Sequence, residues 1–410
     1  MTVDDLESLD REDVLAEKRA LFALPSNTIY LDGNSLGALP SAVEAAVAEA
    51  VTQQWGQDLI ASWNKHSWIE LPLSVGEKIA PLLGAAAGQV VCADSISVNL
   101  FKLLSTALSL QSGRHVILSQ EDNFPTDLYM VEGLVQMLGA ERCQLRTVDG
   151  ASMIDALDDD VAVLLLTHVN FRSGHMHDMQ ALTAAAHEQG VLVLWDLAHS
   201  AGVTALELDR WNVDMAVGCG YKFLNGGPGA PAFLYLASRH QDKVAQPLSG
   251  WMGHRRAFDF ASGYEPAAGV QRYLSGTPGI LGMTALDAAL DVFGDVSMGD
   301  VRAKSSLLTQ CFIERVQANA LDGLRIVSPT DSAQRGSQVS LSHERAYAIA
   351  QALIEEGVVV DFRAPDIVRF GFSPLYNSFR EVGIAAETLA GIVREQRFLE
   401  PRFQVPSRVT

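Results

Sequence analysis

Four short apolar runs constrain this chain more than any other feature: Val116-Ile117-Leu118, Val161 to Leu166, Val191 to Trp195 and Met215-Ala216-Val217. Each is followed by a polar or glycine-containing loop and then by a stretch of amphipathic helical periodicity. A strand that is apolar on both faces must be covered on both faces, and a helix crossing back over the sheet provides that cover. The expected fold is therefore α/β, with a mostly parallel central sheet and helices on both faces. Ligands of such sheets gather outside the carboxyl ends of the strands. That rule singles out Asp122 to Asp127, Thr167 to Gly174, Asp196 to His199 and Gly218 to Gly229.

The flanks read differently. Charges and leucines recur at helical spacing from Asp4 to Phe22, a Pro25-Ser26-Asn27 turn leads into a short strand at Thr28-Ile29-Tyr30-Leu31, and the alanine-rich Ser41 to Gln54 makes a helix after Pro40. Beyond about Leu290, long helices (Arg302 to Ala318, Glu344 to Glu356) interleave with strands at Leu324 to Val327, Gln338 to Leu341, Val358 to Phe362 and Ile367 to Phe372. A chain of 410 residues exceeds what one core usually fills. The expected division is an N-terminal arm over 1–40, a large domain over 41–290 and a smaller α/β domain over 291–410.

The formal charge of −19 comes from acidic residues spread along the chain, a balance that repels phosphate backbones and argues against nucleic acid as a partner. Cys92, Cys143, Cys219 and Cys311 stand far apart with no C-x-x-C pair, so neither a zinc site nor a disulfide framework is indicated, and a reducing cytosol fits. Met1 to Asp5 is acidic and lacks the form of a signal peptide. The apolar runs fall well short of the roughly 20 residues that span a bilayer. No membrane partner and a cytoplasmic location are expected.

Two of the strand ends carry recognisable chemistry. Asp196-Leu197-Ala198-His199 directly follows an apolar run, and a carboxylate there can keep the nitrogen of a pyridine cofactor protonated, which makes the ring an electron sink. Taken alone, Asp196 is equally a helix N-cap. One strand later comes Gly218-Cys219-Gly220-Tyr221-Lys222-Phe223-Leu224-Asn225-Gly226-Gly227. A lysine enclosed by glycines and apolar residues gives up its proton readily, as Schiff-base formation requires, whereas a lone loop lysine is ordinarily a surface charge.

Asp-x-x-His followed at this spacing by the lysine resembles the fold-type-I pyridoxal-phosphate enzymes of the aspartate aminotransferase superfamily. Further segments narrow the likeness to the kynureninase family: Tyr30-Leu31-Asp32-Gly33-Asn34-Ser35-Leu36-Gly37, Asn123-Phe124-Pro125-Thr126-Asp127, Tyr221 through Gly229, and Pro374-Leu375-Tyr376-Asn377-Ser378-Phe379, while Ser62-Trp63-Asn64 after Trp55 looks like its bacterial form. They run from near residue 28 to near residue 380, almost the whole chain. The resemblance implies that Lys222 carries pyridoxal 5'-phosphate, that Asp196 pairs with the pyridinium nitrogen, that His199 lies against the cofactor and that Phe124 stacks on its ring. Asp127 helps to hold the ring, and Pro125, Thr126 and Thr167 join the cofactor-binding set. Tyr221 is implied to reach the phosphate and to assist proton transfer, and Trp251 and Thr277 to complete the phosphate site with contributions from a second subunit. A homodimer with a shared active site follows. Thr277 is equally a simple turn residue.

Unpaired backbone N–H groups at a helix start suit a phosphate, and the Ser95-Ile96-Ser97-Val98-Asn99 turn into the Leu100 to Leu110 helix makes Ile96 and Ser97 the candidates, Ser97 being equally an N-cap. Arg369, in the apolar strand Ile367-Val368-Arg369-Phe370-Gly371-Phe372, is the natural clamp for a substrate α-carboxylate, since guanidinium grips carboxylate through two parallel hydrogen bonds, although an arginine in a strand is more often an edge or salt-bridge residue. Ser35 and Trp63 are further substrate-side candidates. Trp63 presses on an aryl ring or is a half-buried helix aromatic. The implied reaction is hydrolytic Cβ–Cγ cleavage of L-kynurenine to anthranilate and L-alanine, with the 3-hydroxy derivative the lesser substrate.

Rival readings remain on the residues alone. Aminotransferases share the motif, and so do cysteine desulfurases, although no cysteine here sits on an evident mobile loop. His175-Met176-His177-Asp178, with His168 upstream, has the His-x-His form of metal-dependent hydrolases but lacks further ligands in order, so no metal is expected. Asp178 reads instead as the start of a helix from Met179 to Gln189 closed by Gly190. A nicotinamide fingerprint fails because Phe223 stands where it needs glycine.

Overall fold

The computed structural model describes residues 3–244 and 246–405, so Met1 and Thr2 of the arm and the last five residues of the C-terminal segment lie outside the described residues. At its centre is a seven-stranded sheet in the spatial order Val90–Cys92, Ala232–Leu236, Met215–Cys219, Leu192–Asp196, Val161–Thr167, Val116–Gln120 and Gln144–Val148. The five strands from Met215–Cys219 to Gln144–Val148 are parallel, and Ala232–Leu236 is antiparallel to both of its neighbours.

Alternation of side chains sets the layers. Val163 and Leu165 face one core with Leu100, Leu103 and Leu104 of the helix Ile96–Leu110 and Val131 and Leu134 of the helix Pro125–Leu138. Leu164 and Leu166 face the other, with Met179 and Ala186 of Met179–Glu188 and Met283, Leu286 and Leu290 of Ile280–Leu290. Each such side chain contributes roughly 1.5–3 kcal/mol when fully buried. The expected sheet covered on both faces is therefore present. Asp178 accepts a hydrogen bond from Ala181 N and caps Met179–Glu188, and Gly190 takes a left-handed φ of 68° just beyond its end.

A second core lies in the C-terminal part. A four-stranded antiparallel sheet, in the order Asp361–Arg363, Ile367–Gly371, Gln338–Ser342 and Arg325–Ile326, packs with the helices Met298–Asn319, Ala346–Glu355 and Phe379–Arg394. The last helix starts in a capping box, Ser378 and Glu381 satisfying each other's backbone N–H. The N-terminal segment adds to this core rather than standing apart: Leu6 and Leu31 are buried in it, and Ile29–Tyr30 pairs parallel with Val358–Val359. That pairing splits the strand expected from Val358 to Phe362. Its first half joins the arm, and Asp361–Arg363 joins the four-stranded sheet. The Ser41 helix likewise changes character, passing from α-helix at Ser41–Glu49 to a π-helical turn at Ala50–Trp55. Among the described residues, no helix is long and apolar enough to cross a membrane.

Candidate active site

The ladder between Val161–Thr167, Leu192–Asp196 and Met215–Cys219 is in register, with Thr167 opposite Asp196 and Asp196 opposite Val217, so two strands finish level and the third runs on to Cys219 beside them. A cavity of about 390 Å³ opens there. Its walls include Ile96 and Ser97, Phe124, Thr126 and Asp127, Thr167, Asp196 and His199, and Tyr221 and Lys222, which draws most of the sequence-derived candidates together.

Each wall has a local cause. Ser95, not Ser97, caps the helix Ile96–Leu110 through a hydrogen bond from Val98 N, so the helix begins earlier than expected and Ile96 and Ser97 occupy its first turn at the cavity. Pro125 opens Pro125–Leu138 at a position where its missing N–H costs nothing, and this places Phe124 and Asp127 in the cavity wall without Pro125 itself lining the cavity. Asn123 ties this loop to the sheet. Its Oδ1 accepts from Thr167 N at 2.7 Å while its Nδ2 donates to Asp127 Oδ2 at 3.2 Å. Asp196 Oδ1 accepts from Ala198 N at 2.8 Å, a local turn rather than a helix cap, and Oδ2 makes no hydrogen bond among the described residues.

The lysine loop is held by close backbone contacts. Gly220 N donates to Pro231 O, Gly226 N to Gly220 O and Asn225 N to Lys222 O, and Asn225 adopts a φ of 59°. From the N-terminal segment, Gly37 N donates to Tyr221 O at 2.8 Å. A Cβ on Gly37 would meet Lys222 O at 2.2 Å and Asn225 Cα at 2.7 Å, and backbone atoms cannot swing aside. We expect Gly37→Ala to displace the lysine loop, costing about 1–3 kcal/mol of stability as overpacking does and weakening cofactor affinity by roughly tenfold. Thermal melts and a spectral titration of the cofactor check both effects.

The Lys222 ammonium lies 5.8 Å from the centroid of the Tyr221 ring and makes no hydrogen bond or ion pair among the described residues. Around it the charges are coupled. Burial pushes Asp196 up to about 6, with Lys222 and the Ala198 N–H pulling it back. Burial and then Asp196 drive Asp127 well above the usual carboxylate range. Burial, followed by the charges of Lys222, Arg369 and Arg363, holds His199 well below the ordinary histidine value, so its ring is neutral at pH 7. Burial also raises Tyr221, which stays a phenol. Among the described residues, two buried polar atoms at the cavity have no hydrogen-bond partner, Asp127 Oδ1 and His199 Nδ1.

Other candidates lie outside the cavity. Thr277 is in a neighbouring hollow of about 400 Å³ that shares Asp94 and Gly229 with the first. Trp251 packs edge-on to Trp63, ring centroids 6.4 Å apart, and beside the exposed Phe258 and Phe260. Arg369 and Ser35 bond to each other and to Asp361 behind Phe171. Phe171 lines the cavity, edge-on to Phe124 at 5.2 Å, and was visible only as part of the Thr167 to Gly174 segment. Asp361 gave no signal, since it reads as one residue of a strand. All four cysteines are buried, which leaves no accessible thiol for a desulfurase. His168 bonds Ser200 Oγ, and His177 packs on Trp195 and His175. Among the described residues no group of three His, Cys, Asp or Glu is arranged to hold a metal.

Comparison with known proteins matches this picture. A family model of the kynureninase C-terminal domain matches residues 301–389. Among solved structures, a cysteine desulfurase from Thermococcus onnurineus NA1 superposes with a TM-score of 0.77 at 20% identity, over 92% of this chain and 98% of that one. One from Escherichia coli does so with a TM-score of 0.74 at 20% identity, over 94% and 98%. Identity that low carries the fold alone. In sequence, the chain is 52% identical over 396 residues to the kynureninase of Deinococcus radiodurans, spanning 95% of this chain and 96% of that protein. It is 47% identical over 415 residues to the kynureninase of Pseudomonas fluorescens, spanning the full length of both. Since the likeness runs through the strand ends that build the cavity as well as through the C-terminal domain, the chain belongs to the kynureninase family.

Proposed function

We propose that this protein is a pyridoxal-phosphate-dependent hydrolase that cleaves the Cβ–Cγ bond of L-kynurenine, releasing anthranilate and L-alanine in tryptophan degradation. The observation that carries the reading is an amine, Lys222, with no hydrogen-bond or ion-pair partner among the described residues, sharing one cavity with a buried carboxylate, Asp196, at neighbouring strand ends. The other residues fit the cofactor chemically. Asp127 Oδ1 and His199 Nδ1 are buried polar atoms in want of a partner, Phe124 offers an aromatic face, and the first turn of Ile96–Leu110 offers N–H groups to a phosphate.

When bound, pyridoxal phosphate supplies an electron sink for charge developing at the substrate Cα. Lys222 holds the cofactor and moves the proton at Cα. Asp196 would balance the positive ring nitrogen of the cofactor, and such a cationic partner would draw its carboxyl back below about 6. The neutral His199 ring packs without adding a competing charge. Tyr221, kept protonated by burial, is the donor to the carbon that leaves after water adds to the side-chain ketone. Tyr221→Phe is expected to keep the cofactor's absorbance and lose about 10²–10⁴-fold in kcat, as rapid-scan spectra and steady-state rates on one preparation will show.

Arg369, Ser35 and Trp63 complete the substrate side, with Trp63 against the aryl ring and kynurenine preferred to its 3-hydroxy derivative. Trp251 and Thr277 serve the phosphate across a homodimer interface, a reading supported by the exposed aromatic group of Phe258 and Phe260 and by the hollow at Thr277 that adjoins the main cavity. The protein is assigned to the cytoplasm. The test is fluorescence of anthranilate released from L-kynurenine with and without added cofactor, with alanine quantified in parallel. Equimolar anthranilate and alanine support the hydrolase, whereas a keto acid without anthranilate points to an aminotransferase.

A further inference from the structure

Most of the Arg369 guanidinium is spent inside the protein. It has five N–H bonds to give. Nε donates to Asp361 Oδ1 at 2.7 Å, Nη2 donates to Asp361 Oδ2 and to Ser35 Oγ at 3.0 Å, and Nη1 donates to the Phe171 carbonyl at 2.7 Å. One Nη1 hydrogen is left. The fork that would ordinarily grip a carboxylate, Nε with Nη2, is already closed on Asp361. Arg369 and Asp361 are 1% and 2% exposed, so this pair is shielded from solvent.

The arrangement is built from three separate segments. Antiparallel pairing sets Asp361 directly opposite Arg369. Ser35 comes from the N-terminal turn, and its hydroxyl donates to Asp361 Oδ2 at 2.5 Å. That turn is pressed onto the same strand: a Cβ on Gly371 would meet Asn34 Oδ1 at 1.8 Å, and Asn34 Nδ2 donates to Gln338 at 2.9 Å. Arg363 reaches Asp361 from the outside at 2.9 Å. Asp32 lies close by, a carboxyl that burial and then Asp361 push up to about 7. Of the three groups that accept from Arg369, Phe171 is the one that lines the cavity.

We propose that Asp361, braced by Ser35, is a positioning residue that fixes Arg369 with only its Nη1 edge turned to the amino-acid substrate, so that the α-carboxylate is recognised at that edge, where the Phe171 carbonyl now accepts. The proposal rests on reading Arg369 as the carboxylate site. It makes the N-terminal segment part of substrate specificity: Ser35, more than 300 residues away in sequence, helps to decide how the guanidinium points. An arginine paired only for stability would answer substitution with a change in melting temperature and none in ligand discrimination.

The experiment uses cofactor-loaded protein and two ligands, L-kynurenine as substrate and kynuramine, the same molecule without the α-carboxylate, as competitive inhibitor. The quantity read is the ratio of the kynuramine inhibition constant to the KM for kynurenine. Asp361→Asn is expected to raise that KM roughly tenfold or more, the worth of a charge-assisted hydrogen bond, while the kynuramine constant moves by less than about twofold, so the ratio collapses. Arg369→Lys keeps the charge but not the fork, and is expected to collapse the ratio too. If Arg369→Lys collapses the ratio and Asp361→Asn leaves it at the native value, the positioning role is overturned while the carboxylate site stands. Should Arg369→Lys leave the ratio unchanged, the reading beneath the proposal fails, and the proposal with it. Ser35→Ala keeps the comparison available if Asp361→Asn does not fold; a smaller loss in the same direction is expected, and an unchanged ratio overturns the proposal.

Discussion

Lys222→Ala is expected to abolish the visible absorbance of the cofactor-loaded protein and to lower kcat by at least about 10²–10⁴-fold, the range lost with one proton-transferring group. The loss should exceed that range, because the same amine both holds the cofactor and moves the Cα proton. The fold should tolerate the change. Lys222 makes no ion pair or hydrogen bond among the described residues, so truncation breaks no direct pair; Asp196 and Asp127 lose its nearby charge and answer by holding a proton more tightly, and the loop is held by Gly220, Gly226 and Asn225 through backbone contacts. A melting temperature within a few degrees of the native protein, alongside lost absorbance and turnover, is the pattern that assigns chemistry rather than packing to this residue. Arginine is no substitute, since guanidinium does not give up its proton to form a Schiff base.

Asp196→Asn is the second large effect, and it has two opposite halves. Turnover should fall by about 10²–10⁴-fold because the amide cannot balance a positive ring nitrogen. Stability of the cofactor-free protein should rise. Burial lifts this carboxyl from 3.8 to about 6, so the folded cofactor-free chain holds the proton more tightly than the unfolded chain does. Its contribution to stability is therefore fully present below about pH 4 and is lost as pH rises through about 6. At pH 8 the native residue is ionised at a cost, and removing the charge should stabilise the cofactor-free fold by about 3 kcal/mol. At pH 4 the two proteins should melt alike. Denaturation of both cofactor-free proteins at the two pH values checks the sign. A variant less stable at pH 8 than native protein would show that Asp196 serves the fold and not the cofactor.

Much of this site was legible because parallel strands write their ends into the sequence. The runs before Thr167, Asp196 and Cys219 are buried on both faces, and they stop where the chemistry begins. Strands that lack this signature were passed over. Gln144–Val148 is an edge strand with an exposed arginine-containing pattern, Val90–Cys92 is only three residues long, and Ala232–Leu236, although apolar, returns antiparallel with no crossover helix to complete the pattern. Partnership across sheets was less visible still. Nothing in the local pattern of Asp361 shows that it stands opposite Arg369, because register depends on how Asp361–Arg363 turns back against Ile367–Gly371. Nor does the spacing of Ser35 reveal its bond to either residue, which depends on the arm folding back onto the C-terminal sheet. Trp251 and Thr277 fall outside the cavity, and the resemblance that named them also assigns part of that site to a second subunit, which one chain does not contain.

The central claim is that the Lys222 amine bonds to the cofactor opposite the Asp196 carboxylate. Borohydride reduction of the holoenzyme, followed by digestion and peptide mass spectrometry, tests it most directly. One pyridoxyl-modified peptide is expected, carrying its label on Lys222 and absent from Lys222→Ala. A stable label on another lysine, or undiminished labelling after that substitution, would contradict the account.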